Sequence, residues 1–389
     1  MRQERIYLDH ASGGWLFPNV QKEVLRSLGE IQASPTGGHR EGRGAREQLE
    51  IARRRVADFL GAKTFEDLFF TSGGTESVQS AIRGWEASVR QGTIYASEIE
   101  HPAVESAVRR LGESGVQVRR VKVDSKGRLR WDEVQVGSGS ALVCVHLAHH
   151  DLGTVQNLRE ARQFADRVGG RLFVDGTHGA GWVSLDVERD GADLVALSGH
   201  RVGGAKGAGA LWIREGTPWV PWLEGGRQER DRRAGTENLP AIAGLGAALE
   251  EWVKKGEKFR KSAGENQRAL WEGIHKNVSI AKLHGPELGP ERNPAHLGVS
   301  FAGLEAESLA LMLDRVGVAA RGGSGCVTRE MKIPPAMRAI GAKPEEARAL
   351  ILFSLAQTSD ISQAAEGVKK VALATQNLYG VMFERVIPQ

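Results

Sequence analysis

Between about residues 45 and 255 the apolar positions alternate between two spacings. In "REQLEIARRRVADFLGA", Leu49, Ala52, Val56 and Leu60 recur at intervals of three and four, which stacks them on one helix face, and Gly61 follows as a left-handed cap. "TESVQSAIRGWEASV" has the same helical spacing. Between such stretches lie short apolar runs: "DLFFTSGG", "TIYAS", "VQVRRVKV", "ALVCVHLAH", "RLFVDG", "DLVALSGH" and "AGALWIR". Runs too short for helices that alternate with helical segments predict an α/β domain with a mostly parallel sheet. In such sheets ligands bind outside the carboxyl ends of the strands, so the polar and glycine residues closing these runs are where a site is expected.

A long helical pattern runs from Leu239 to about His275, and a second set of elements follows it: "HLGVSFAG", "AESLALMLDRVG", "VAARGGSGC", "ALILFSLA" and "ISQAAEGVKKVALAT". The pattern predicts a large α/β domain over 16–255 and a smaller α+β domain built from 1–15 and 256–389, with the boundary inside the long helix. "LHGPELGPERNP", rich in glycine and proline, is expected to be a surface loop of the smaller domain. No internal repeat or low-complexity run is visible.

Composition narrows the class. The 389 residues are 41% hydrophobic and 26% charged, ordinary for a globular fold. A net charge of +4 spread over scattered basic residues argues against nucleic acid as a partner. The one basic run, Arg53-Arg54-Arg55, falls within a helical pattern and reads as a solvated face. No window is apolar enough to span a membrane and the first ten residues contain no apolar signal region, so the cytoplasm is expected. Two cysteines, Cys144 and Cys326, exclude a disulfide framework and fit a reducing compartment.

Two stretches suggest chemistry. "FFTSGGTES" sets Gly73, Gly74 and Thr75 between a strand and a helix, where free N–H groups favour a phosphate; equally, it reads as a tight turn with Thr75 as N-cap. "RLFVDG" ends a strand on Asp175, which could pair with a protonated ring nitrogen or cap a loop.

The motifs in order are far more specific. "IYLDHASGG", "GHREGRGAREQLEIAR", "FTSGGTES", "SEIEHPAV", "AHHDLGTVQNL", "FVDGTHGAGW", "DLVALSGHRVGGAKGAGALWIR", "GGRQERDRRAGTEN" and "ARGGSGCV" follow one another across residues 5 to 375. In this the chain resembles the cysteine desulfurases of the class-V aminotransferase fold, a fold-type I architecture that uses pyridoxal phosphate. The resemblance implies that Gly74, Thr75, Ser198 and His200 hold the cofactor phosphate. Thr236 of "RAGTEN" would reach in from the second subunit of a homodimer. His101 would stack on the pyridine ring, Asp175 would pair with its nitrogen, and Cys326 would take up substrate sulfur as a persulfide. Hydroxyls and a helix N-terminus suit a phosphate dianion, and a carboxylate keeps a pyridinium protonated, so residue chemistry and resemblance agree.

Departures from the family pattern stand beside these matches. Where the family has "SGHK", whose lysine condenses with the cofactor, this chain has Arg201, a guanidinium that neither condenses with an aldehyde nor acts as a base. Lys206 matches a lysine the family also carries, so it does not take over. Leu352 stands where the family has the arginine for the substrate carboxylate. His149, His150 and Asp151 replace an Asn-Asn-Glu run and His178 replaces a glutamine, the family's asparagine and glutamine at these two places touching the O3′ side of the ring, and His10 replaces another asparagine.

His101, His149 or His150, His178 and His200 are thus expected to converge with Asp175 on one pocket, with Arg201, His101 and Cys326 as the candidates for chemistry. Three readings follow. The first is a desulfurase-like protein that binds pyridoxal phosphate, or another phosphorylated ligand, non-covalently. The second is a non-catalytic scaffold or persulfide carrier that meets a sulfur-acceptor protein. The third is a metal-dependent enzyme using the histidine cluster, since neutral imidazole is a common ligand.

Overall fold

The computed structural model describes residues 5–137, 139–323, 333–357 and 361–383. In chain order the elements are β1 (Ile6–Tyr7), α1 (Pro18–Glu30), α2 (Arg40–Leu60), β2 (Leu68–Thr71), α3 (Gly74–Val89), β3 (Gly92–Ser97), α4 (Pro102–Glu113), β4 (Gln117–Val121), β5 (Ser140–His146), α5 (Leu158–Arg167), β6 (Arg171–Asp175), β7 (Leu194–Ser198) and β8 (Gly209–Ile213). There follow the single turn α6 (Gln228–Asp231), α7 (Leu239–Asn277), β9 (Ala281–His284), β10 (His296–Phe301), α8 (Ala306–Arg315), β11 (Val318–Ala319), β12 (Arg321–Gly322), α9 (Pro335–Ala339), α10 (Pro344–Arg348), β13 (Leu350–Ser354) and α11 (Ile361–Phe383).

The seven short apolar runs form one seven-stranded sheet in the order β2-β8-β7-β6-β5-β3-β4. All pairings from β4 through β7 are parallel, and β8 alone runs against its neighbours β7 and β2. Strands β2, β6, β7 and β8 are buried along nearly their whole length because helices cover both faces, and this is why they read as continuous apolar runs rather than alternating ones. The smaller sheet is antiparallel, in the order β12-β13-β10-β9, and β1 pairs with β11 as a separate two-stranded ribbon.

Leu49, Ala52, Val56 and Leu60 of α2 are all buried, each leucine contributing about 1.5–3 kcal/mol relative to exposure. They face α7, where Gly246 lies so close that an added Cβ would stand 2.8 Å from Ala52 Cα, a distance no larger side chain tolerates. Helix α7 has 39 residues, a length of roughly 58 Å, and leads from the large sheet to the small one.

Two expectations change. Arg53 is not part of a solvated face: only 2% of its side chain is accessible, and its guanidinium pairs with Glu229 at 2.7 Å and donates to Leu68 O. Helical spacing puts position 53 beside Ala52 and Val56 on the inner face, and the long side chain reaches a carboxylate there. The stretch "LHGPELGPERNP" is not simply a surface loop either, since His284 and Arg292 within it are buried and Arg292 donates to the carbonyls of Pro286 and His284. Helix α1 and strand β9 were not anticipated; α1 leaves Leu25 and Leu28 exposed, which breaks the one-face pattern. No helix among the described residues is long and apolar enough to cross a membrane.

Candidate functional site

The carboxyl ends of four neighbouring parallel strands converge. β3 delivers Ser97 and then the turn to His101, β5 ends at His146 and leads to His149, His150 and Asp151, β6 ends on Asp175, and β7 ends on Ser198, followed by His200 and Arg201. Opposite them, β10 opens with His296, which pairs in register with Ser354 at the end of β13. Asp9 bridges to the same Ser354, which brings the loop carrying His10 over the site.

A narrow cavity of about 30 Å³ lies between these ends, lined by His10, His149, His150, His178, His200, Arg201 and His296, with Asn293, Ser354 and Gln357 among the remaining wall residues. It adjoins His101, whose ring lies 5.3 Å from that of His150 and 5.2 Å from that of His178, centroid to centroid. The convergence of His101, His149, His150, His178 and His200 is therefore present in the fold. His296, Asn293 and Ser354 were not anticipated; they come from the small sheet, and no local signal marks them.

The imidazoles are neutral for one dominant reason. Burial lowers the pKa of His149, His150 and His178 well below the ordinary value, lowers that of His101, and brings His10 and His200 to about 4 and His296 to about 3. Nearby positive groups, Arg201 foremost for His178 and His200, push further in the same direction. Burial acts oppositely on Asp151 and raises its carboxyl to about 7.

Several rings have fixed roles. His149 accepts from the Asp151 and Leu152 N–H groups on Nδ1 and donates from Nε2 to Ile99 O at 2.8 Å, so it is a structural clamp between two strand ends. His101 is the N-cap of α4, with Nδ1 accepting from Ala103 N at 3.1 Å. That bond leaves the proton on Nε2 and fixes the plane of the ring. Beneath them His146 lies between Gln156 and the buried Glu100, whose Oε1 also receives Ser97 Oγ. This polar network was not anticipated, because its members are spread from residue 97 to 156.

Around the first turn of α3 the chain is built for close approach. The N-cap is Gly73, no side chain caps the helix, and Thr75 lies in the first turn with its side chain exposed. Thr75 is therefore not the N-cap that the bland reading expected. A Cβ at Gly74 would stand 2.7 Å from Thr177 Cγ2 and 3.1 Å from Ser198 Cβ, so only glycine lets the helix end seat against β6 and β7. Ser198 Oγ and His200 Nδ1 lie 3.1 Å apart and present a hydroxyl and an imidazole beside that end. Asp175 is buried, and its Oδ1 accepts from both the N–H and the hydroxyl of Thr177.

Arg201 occupies the middle of this arrangement. Burial and the neighbouring Arg321 lower its pKa to about 10, which still leaves it charged at neutral pH, and its Nη1 is buried with no hydrogen-bond partner among the described residues. Lys206 is exposed and lies against Gly13. Thr236 is exposed, on a segment anchored by the Arg233–Glu76 ion pair at 2.8 Å. Leu352 lies on β13 directly opposite Arg321 of β12. Cys326 falls outside the described residues. Among the described residues no three His, Cys, Asp or Glu side chains are placed to hold one metal ion, so the metal reading acquires no ligand set there.

Comparison with known proteins gives a consistent result. A family model described as aminotransferase class-V matches residues 6–363. The chain is 34% identical over 356 residues to a cysteine desulfurase of Cereibacter sphaeroides, covering 90% of this chain and 91% of that one. It is 30% identical over 371 residues to the cysteine desulfurase NifS of Azotobacter vinelandii, covering 94% and 91%. Among solved structures, one titled NifS-like protein superposes with a TM-score of 0.87 at 26% identity, covering 96% of this chain and 100% of its own.

Proposed function

The chain belongs to the class-V aminotransferase family, in its cysteine desulfurase branch, and from that premise we propose that it binds pyridoxal phosphate or another phosphorylated ligand non-covalently, without ordinary desulfuration of cysteine. The observation that carries this reading is Arg201 beside an otherwise intact phosphate cup.

The residues fit such a ligand at two of its three ends. Ser198, His200 and the uncapped first turn of α3 with Gly74 and Thr75 offer a hydroxyl, an imidazole and backbone donors to a phosphate. Asp175, oriented by its two bonds from Thr177, suits a protonated ring nitrogen, and His101, its ring plane fixed by the Ala103 bond, suits the ring face. The third end does not match. No amine stands where an aldehyde would condense, because Arg201 fills that place, and the cavity beside it is about the size of a single water's share of the liquid. Pyridoxal phosphate, when bound, supplies an electron sink. This chain's own contribution is then to bind and orient it: the cup holds the phosphate, Asp175 holds the ring-nitrogen proton, and neutral His150 and His178 exclude water.

The protein is proposed to act as a homodimer, with Thr236 completing the partner's phosphate cup, and in the cytoplasm. Calorimetric titration with pyridoxamine phosphate, which has the phosphate and ring but no aldehyde, tests the cup directly. Saturable binding is expected, and its loss in Ser198→Ala combined with His200→Ala; absence of binding to the wild type overturns the reading. Arg201→Lys is the companion variant. After borohydride treatment in the presence of pyridoxal phosphate, its mass is expected to rise by one cofactor at residue 201, whereas the wild type gains none there.

The second reading, a scaffold or persulfide carrier that meets a sulfur acceptor, is favoured by one observation: Cys326 is kept while Arg201 and Leu352 replace the two groups that an amino-acid substrate needs. Incubation with an active desulfurase and cysteine, followed by persulfide alkylation and peptide mass analysis, is expected to label Cys326. An unlabelled Cys326 under conditions that label a known acceptor removes this reading.

A further inference from the structure

The narrow cavity beside Arg201 lies at the seam between the two sheets. His178, His200 and Arg201 wall it from the large-sheet side, and Asn293, His296 and Ser354 from the small-sheet side. These walls hold polar groups that nothing satisfies. Arg201 Nη1, His10 Nδ1 and both ring nitrogens of His296 are buried without a hydrogen-bond partner among the described residues. Orphaned polar atoms are rare in native interiors, and so many on one small cavity indicate an occupant.

Charge and size decide what the occupant is. Arg201 stays charged at neutral pH, while the imidazoles around it are neutral and bring no counterion. No aspartate or glutamate is among the described residues that line the cavity. The two carboxylates whose fields reach Arg201 are engaged elsewhere: Asp9 accepts Ser12 Oγ at 2.6 Å, and Asp175 accepts Thr177. A water molecule would satisfy the orphaned nitrogens and leave the guanidinium without a counterion, whereas an anion does both. A neutral imidazole can turn its one N–H toward an anion by choice of tautomer, so His10 and His296 suit the role of donors. The volume, about 30 Å³, equals the share of a single water in the liquid. A phosphate or a carboxylate, with several heavy atoms, does not fit there, and a single-atom anion does.

We propose that Arg201, with His10 and His296 as neutral donors, binds one halide-sized monovalent anion in this seam. The anion neutralises the guanidinium and ties the large sheet to the small one, since its donors come from both sides. The site is separate from the phosphate cup: Gly74, Thr75, Asp175 and Ser198 do not line the cavity, and only His200 borders both. The inference therefore does not rest on the phosphate reading.

The full chain, freed of halide in sodium gluconate at pH 7.5, is the starting material, because gluconate is too large for the cavity. Replacing gluconate by chloride or bromide at constant ionic strength is expected to raise the thermal midpoint along a saturating curve, as for any ligand that binds the native chain alone. Crystals soaked in bromide are expected to show one anomalous peak per chain inside the cavity, against Arg201 Nη1. Arg201→Gln is expected to weaken bromide at least about tenfold, the scale of one lost charge-assisted bond, and to lose the peak. Should that variant fail to fold, the wild-type crystals decide alone. Water in the cavity with no bromide peak, or an adventitious ion only, at surface lysines, overturns the proposal, and so does an unchanged halide dependence in Arg201→Gln. Binding of pyridoxamine phosphate without a bromide peak overturns this site and leaves the cup; a bromide peak without pyridoxamine phosphate binding overturns the cup and leaves this site.

Discussion

Residue by residue, the pocket is a concentration of imidazoles in a place that keeps them uncharged. His10, His200 and His296 have folded pKa values of about 4, 4 and 3 against an ordinary 6.5. A histidine lowered on folding takes up its proton only when the chain unfolds, so its contribution to stability is complete above pH 6.5 and is lost as pH falls toward the folded value. Each such group steepens the acid limb by about 1.4 kcal/mol per pH unit between roughly pH 6 and 4. Asp151, raised to about 7, works in the opposite sense: it releases a proton on unfolding between pH 7 and 4, and it destabilises the native state most above pH 7. His296→Asn is therefore expected to flatten the acid limb by about one proton, measured as the slope of unfolding free energy against pH in urea titrations between pH 4 and 6. An unchanged slope would mean that His296 is solvated in the native protein. His10 and His200 were legible in the sequence because each lies in a recognisable motif, whereas no local signal marks His296, which the small sheet brings to the pocket. That His149 is a structural clamp was not legible, since its partner Ile99 O lies in the turn that follows another strand, β3.

At the scale of elements, the strands announced themselves and the joints between them did not. The inner large-sheet strands are short apolar runs because helices bury both faces, a property each run carries locally, while the edge strand β4, QVRRV, stays largely open to solvent. The buried Arg53–Glu229 pair is a joint that no local pattern reveals. Glu229 accepts both guanidinium nitrogens of Arg53 and the Phe70 N–H, and so fixes α2, β2 and α6 to one another. The same carboxylate holds an unusual turn, because Glu229, Arg230 and Asp231 have φ values of 49°, 58° and 62°, a left-handed run without glycine. Side chains in this region carry strain of order 1–3 kcal/mol each, and the pair offsets it. Glu229→Ala removes the nearest carboxylate from a buried guanidinium, leaving it Glu50 at 3.3 Å and the Leu68 carbonyl, and releases the turn, so a loss approaching about 3–5 kcal/mol is expected in chemical denaturation. Replacing both partners together, Arg53→Met with Glu229→Leu, should cost far less if the charge pair alone matters. A double variant as unstable as the single one would locate the effect in the turn.

Taken whole, the molecule brings two sheets to bear on one cavity, and here sequence patterns reach least far. His296 and Ser354 meet Arg201 only because β10 and β13 lie side by side and Asp9 bridges to the latter. The surface poses a parallel question. The segment from Val220 to Thr236 is closed on itself by Ala234 N to Leu223 O and tied to the body by Val220 N to Gly84 O and the Arg233–Glu76 pair, yet Val220, Trp222 and Leu223 remain 39%, 46% and 42% exposed. Large apolar side chains held in fixed positions at the surface, next to a threonine proposed to serve a neighbour, fit a face that a second copy covers. The proposed homodimer predicts that Trp222→Asp with Leu223→Asp shifts sedimentation from dimer to monomer while the circular dichroism of the chain is kept, because neither side chain supports the core. It predicts further that this monomer binds pyridoxamine phosphate more weakly than the wild type, since Thr236 is proposed to serve the cup across the interface. A wild-type protein that sediments as a monomer at micromolar concentration would break the link between Thr236 and a partner's site, and the cup would have to function with the donors of a single chain.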